Sequence, residues 1–122
     1  MSSTKTIPGT TLKDYLLAVA RLERPSLEQR SALLLAGREG DAQALRDLTE
    51  GYLPLVVALA AARRGLGLRF QDLLACGNQA AAAVLRSFQG DAADIEAVLV
   101  SAVENALKRA WVEAAWSKKM QA

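Results

Sequence analysis

The sequence predicts an all-α fold, a compact orthogonal bundle of about six helices, from three observations. Ala and Leu dominate an apolar set that makes up 52% of the 122 residues, and both are strong helix formers. Aromatic residues amount to only 5%, and the β-branched residues that favour strands are also scarce. Apolar positions recur at spacings of three and four residues between Gly, Pro and Asp breaks, which is helical periodicity. The length suits a single domain, by the prior of roughly 100–200 residues per domain, here residues 11–122 behind a flexible arm at 1–10 that Pro8-Gly9 keeps from helix.

Each element then has its own start and stop. Thr11 caps a first helix from Leu12 to Arg24, with Leu12, Leu16, Val19 and Leu22 on one face and Pro25 ending it. Ser26-Leu27-Glu28-Gln29 is a capping box, in which the Ser hydroxyl accepts a free backbone N–H and Gln29 reaches back to the cap, and the second helix runs to Gly37. Gly40-Asp41 supplies a break and a new cap for a short third helix with Ala44, Leu45 and Leu48 inward. Gly51 and Pro54 mark the next junction, Pro54 being tolerated in a first turn, and a very apolar fourth helix follows to Arg64. Gly65-Leu66-Gly67 turns the chain into a fifth helix from Gln71 to Phe88. The last helix starts between Asp91 and Asp94, whose carboxylates suit its N-terminal dipole, and continues to about Trp116 with Lys118-Lys119 near its other end.

Composition also excludes functions. With no His and one Cys, Ser-His-Asp triads, His/Cys metal sites and intrachain disulfides are ruled out, and no cofactor is expected. The lone Cys76 suits a reducing compartment, and the N-terminus lacks the pattern of a signal peptide, so a cytoplasmic protein is expected. The longest apolar stretch, Leu53 to Ala62, is about half of what a bilayer crossing needs, so no membrane partner is expected. Net charge is only +2. Bulk charge therefore gives no nucleic-acid signature. Catalysis has one weak candidate, the carboxylates Asp91, Asp94 and Glu96, which capping at a helix start explains without chemistry. A binding protein rather than an enzyme is expected.

An ordered series of residues carries more information. From Glu39 to Phe88 the chain supplies Glu39-Gly40-Asp41, Ala44, Leu55-Val56-Val57, Arg63-Arg64, Gly67-Leu68, Phe70, Asp72-Leu73-Leu74, Gly77-Asn78 and Phe88. Read without a gap, this resembles region 2 of the sigma-70 family, the bacterial RNA polymerase initiation factors. The upstream stretch from Thr11 to Asp41 is similar to the segment preceding region 2 in that family. Most matching positions are core or turn positions, such as Leu55, Val56, Leu59 and Ala60, then Leu73, Leu74, Ala81, Val84 and Leu85.

The resemblance implies a transcription factor that docks on RNA polymerase core through the coiled coil of the beta-prime subunit. The implied docking residues are Asp72 and Asn78, with Ala75-Cys76 in place of the family's Gln-Glu pair and Ala82 in place of a Met. The alternative for Asp72 is helix capping, and for Asn78 a local side-chain bond. The promoter-melting segment departs further. It aligns with Ile95 to Leu107, where the family's Phe, Tyr and paired Trp become Ile95, Val98, Ser101 and Ala102, and Glu104 replaces an Arg. Base stacking on each aromatic is worth about 1–3 kcal/mol, so melting is expected to be weakened or lost. Residual contact with promoter DNA then falls to Asn105, Lys108 and Arg109 on the last helix and to Arg63, Arg64 and Arg69 around the Gly-rich turn. A solvated face explains the same residues without DNA.

Trp111 and Trp116 read either as stacking platforms or, the expectation adopted here, as core or interface anchors. Together with the Ala80 to Ala83 run they support an alternative function, a helical interaction module, with self-association through the last helix as one form of it. Cys76 is expected to be a small packed residue rather than a reactive thiol.

Overall fold

The structure, a computed structural model, describes residues 11–65 and 67–121. The arm expected at 1–10 lies outside the described residues. Six α-helices follow one another, with no strand among the described residues: α1 Leu12–Ala20, α2 Leu27–Arg38, α3 Ala42–Gly51, α4 Leu53–Ala61, α5 Phe70–Ser87 and α6 Ile95–Gln121, with a short 3-10 turn Ala92–Asp94 leading into α6.

The helix starts are set by side chains that satisfy backbone N–H groups with no partner inside the helix. The Thr11 hydroxyl accepts from the Asp14 N–H at 3.1 Å, and the Asp14 carboxylate accepts from the Thr11 N–H at 3.5 Å. The Ser26 box forms as its spacing requires, with Gln29 N–H donating to Ser26 Oγ at 3.1 Å and Ser26 N–H to Gln29 Oε1 at 2.8 Å. Asp41 accepts from the Gln43 and Ala44 N–H groups to open α3.

Two helices end earlier than their periodicity suggests. α1 stops at Ala20 rather than Arg24, because Pro25 disfavours helical geometry at the residue before it and is itself buried beside α3. A Cβ on Gly51 would lie 2.9 Å from the Pro25 ring, so the glycine at the end of α3 is the seat for that proline. α4 stops at Ala61 rather than Arg64, and the chain turns through Gly65 and Gly67, both at positive φ where an L side chain is strained.

The core joins one stripe from each of α2 to α6. Leu34, Leu48, Val56, Leu73, Leu85, Ile95, Leu99, Val103 and Leu107 are each no more than 2% exposed. Burying one such side chain is worth about 1.5–3 kcal/mol. α5 and α6 form the most extensive helix pair, and α4 packs across both. Gly77 permits that approach, since a Cβ there would stand 2.8 Å from Val56 Cγ1 and 3.4 Å from Val103 Cγ1.

α6 outruns this core. Leu107 is its last buried residue, yet the helix continues to Gln121, roughly 20 Å further at 1.5 Å per residue. Among the described residues no helix is long and apolar enough to cross a membrane.

Candidate docking and nucleic-acid surfaces

α5 separates its candidate residues by face. Leu73, Leu74, Gly77, Ala81 and Leu85 point inward, which leaves Asp72, Ala75 and Gln79 exposed and Cys76 half-buried on the outer side. Asp72 does not cap the helix. Arg69 occupies the cap position without a side-chain bond, and Asp72 in the first turn pairs with the Arg69 guanidinium at 3.4 Å. Ala82 is half-buried at the flank of this face.

Asn78 faces a different way. Its Nδ2 donates to the Tyr15 hydroxyl of α1 at 3.3 Å, and its Oδ1 is buried with no partner among the described residues. The bond spans 63 residues, so Asn78 is neither a free docking side chain nor the locally bonded residue of the alternative reading. Its place is the α1–α5 contact.

Cys76 sits at the edge of a groove of about 350 Å³ between α5 and α6, walled by Cys76, Gln79 and Ala80 on one side and Ala106, Arg109 and Glu113 on the other. The thiol donates to the Ala106 carbonyl at 3.4 Å. Burial pushes its pKa up, Arg109 opposes that shift and Glu113 adds to it, so the sulfur stays a thiol as its packing suggests.

The basic candidates fall into two groups. Arg63, Arg64 and Arg69 border the α4–α5 turn, but two of the three are engaged: Arg64 stacks on Phe70 at 4.5 Å from the ring centroid, and Arg69 pairs with Asp72. Asn105, Lys108 and Arg109 are exposed on α6. Arg109 shares the groove with Cys76, so the structure brings a candidate nucleic-acid residue and a candidate polymerase residue onto one surface.

Trp111 and Trp116 are not core residues, contrary to one half of the sequence expectation. They are 38% and 62% exposed, on the part of α6 beyond Leu107, its last buried residue. Val112 and Met120 are exposed beside them.

Sequence reasoning also missed a polar centre. Glu96, read as a helix-start carboxylate, accepts from Arg30 Nη1 at 3.1 Å and from the Tyr52 hydroxyl at 3.2 Å, and pairs with Arg24 at 3.5 Å. Arg30 Nε also donates to the Ala92 carbonyl at 3.1 Å, so one cluster ties α2, the α3–α4 junction and the start of α6 together. Tyr52 is fully buried, and burial together with the adjacent carboxylate pushes its pKa up to about 12. No local pattern announces partners 44 and 66 residues apart. The described residues hold no grouping of three or more His, Cys, Asp or Glu able to bind a metal ion.

No family model matches the chain, and no curated protein matches it.

Proposed function

We propose that this chain is a sigma-like helical factor that docks on RNA polymerase core through the outer face of α5 and has given up promoter melting. The observation that carries the reading is the separation of faces on α5. Leu73, Leu74, Gly77, Ala81 and Leu85 are turned inward, whereas three of the five positions matched to the family's docking residues lie on the outer side, Asp72 and Ala75 exposed and Cys76 half-buried; Asn78 turns instead to α1. The same division on α6 supports the loss of melting. Ile95, Leu99, Val103, Ala106 and Leu107 fill the core, while of the other positions matched to family aromatics Val98 and Ser101 are exposed and Ala102 is half-buried, none with an aromatic face to stack on a base.

The test is titration of the full chain against RNA polymerase core, with an isolated beta-prime coiled coil and a labelled promoter fork in parallel. Saturable binding to core and coiled coil, weakened at least tenfold by D72R or A75R and without fork binding, is the expected result. Absence of binding to core at about 100 µM, a concentration at which even weak specific contacts register, overturns it.

A second reading, a helical interaction module, is favoured by the four exposed apolar side chains on the overhanging end of α6.

A further inference from the structure

We infer that the overhang of α6 is half of a self-complementary interface, and that a second copy of this chain packs antiparallel against it with Trp116 seated in the partner's α5–α6 groove. The inference deepens the second reading and does not depend on polymerase docking.

The α6 residues Ala102, Ala106, Arg109, Glu113, Trp116 and Met120 are spaced alternately by four and three, the seam of a two-helix coiled coil. Along that seam the side chains run small, small, basic, acidic, large, large. The small end lies over the bundle, where Ala106 floors the groove of about 350 Å³. The large end lies beyond the bundle, where Trp116 and Met120 are 62% and 67% exposed. A helix end without packing is only marginally stable in water, so the overhang calls for a covering surface.

One register satisfies every seam position. When two copies cross antiparallel at the level of residue 111, Trp116 of one meets Ala106 of the other, Met120 meets Ala102, and Arg109 meets Glu113, each pair twice by symmetry. Large fills small, and both charges of the seam are paired. A parallel pairing sets Arg109 against Arg109, Glu113 against Glu113 and Trp116 against Trp116, with nothing to fill the space over the alanines. The charge pattern therefore selects the antiparallel pair and explains why two charges stand mid-seam.

Trp116 and Met120 are the two large apolar side chains that this register covers, each set against an alanine of the partner copy. A partner of unrelated chemistry would leave the match between groove and ridge on one helix without a cause.

The experiment is sedimentation velocity on the full chain from about 1 to 100 µM, the range that brackets a micromolar dimer. A concentration-dependent dimer is expected, and W116A weakens it about thirtyfold or more, as for an aromatic anchor. E113R and R109E are each expected to be monomeric, because each sets like charges against each other at the crossing. An equimolar mixture of the two re-forms a dimer, and the double variant R109E/E113R dimerises by itself. All these substitutions are on exposed side chains beyond the core, and circular dichroism checks that each variant folds. A chain that stays monomeric throughout overturns both the inference and self-association as a form of the second reading. If Trp116 becomes shielded only on addition of polymerase core or single-stranded DNA, the inference falls and the face belongs to that partner. A dimer indifferent to W116A, or a mixture that fails to re-form one, overturns the register while leaving self-association in place. The polymerase test reads D72R and A75R, which lie outside the seam, so its failure and the failure of the dimer are told apart.

Discussion

Replacing Tyr52 by Phe removes one hydroxyl and leaves the fully buried ring in place, so it isolates the bond to Glu96. At neutral pH the loss is that of a hydrogen bond to a charged acceptor, about 1.5–3 kcal/mol. The lower end applies, because Glu96 is 28% exposed and keeps Arg30. The pH dependence is more diagnostic. In the unfolded chain the phenol loses its proton near pH 10, whereas in the folded chain it holds it to about 12. Between those values the folded state binds more protons than the unfolded state, so stability falls as pH rises. The contribution of the protonated phenol is complete below pH 10 and is lost as pH climbs through about 12. At 1.36 kcal/mol per unit, moving from about pH 9.5 to 11.5 costs the wild-type chain about 2 kcal/mol that Y52F does not lose. Other groups titrate in this range in both chains and cancel in the difference. Urea denaturation followed by circular dichroism at several pH values measures it, and the wild-type advantage should shrink or reverse. A gap between the two chains that stays constant from about pH 9.5 to 11.5 would refute the reasoning, since it would mean that the Tyr52 hydroxyl titrates alike folded and unfolded.

Other substitutions probe the packing. Gly77→Ala sets a Cβ at 2.8 Å from Val56 Cγ1, and overpacking of about 1–3 kcal/mol should outweigh the gain in helix propensity of about 1 kcal/mol, with V56A in the same chain relieving part of it in a double-mutant cycle. Asn78→Ala gives up the bond to Tyr15 but also removes the orphaned Oδ1, so thermal unfolding should change by less than about 1 kcal/mol, and a larger loss would mean that the oxygen has a partner. Leu107→Ala should cost about 2–5 kcal/mol as a core cavity, whereas W116A, measured on dilute monomer, should stay within about 0.5 kcal/mol; equal losses would show that the overhang packs on its own chain.

Helix starts were legible because they are local. Thr11, Ser26 and Asp41 each bond a backbone group within three residues, and the sequence contains everything needed to read them. Helix ends were less so. The stop at Ala20 depends on where Pro25 must dock, against Gly51, and that is a long-range fact. The inward stripe of α5 was legible from its period, and Leu73, Leu74, Ala81 and Leu85 are buried as expected. The polar cluster at Glu96 was not, because periodicity says which face is apolar and is silent on which polar side chains meet across the bundle.

The same limit governs the candidate site. A sequence match treats Asp72 and Asn78 alike, as two positions of one pattern, but the helix turns them apart: Asp72 is exposed, and Asn78 holds α1. A period of 3.6 residues separates them by six positions, or about 240° around the axis, enough to put one outside and the other against a neighbour. Trp111 and Trp116 show the converse. Their size suggested burial, yet residence depends on whether the bundle reaches that far, and Leu107 is the last buried residue of α6. An apolar side chain is a demand for a partner, not evidence that the same chain supplies one. On α6 that demand begins where the bundle stops, next to the groove that a polymerase coiled coil lying over Cys76 would also occupy. The two proposed uses of the α5–α6 face therefore compete. If both hold, raising the chain concentration past its dimer constant should lower the fraction able to bind core, and W116A, which leaves the groove walls intact, should remove that concentration dependence without weakening the binding itself.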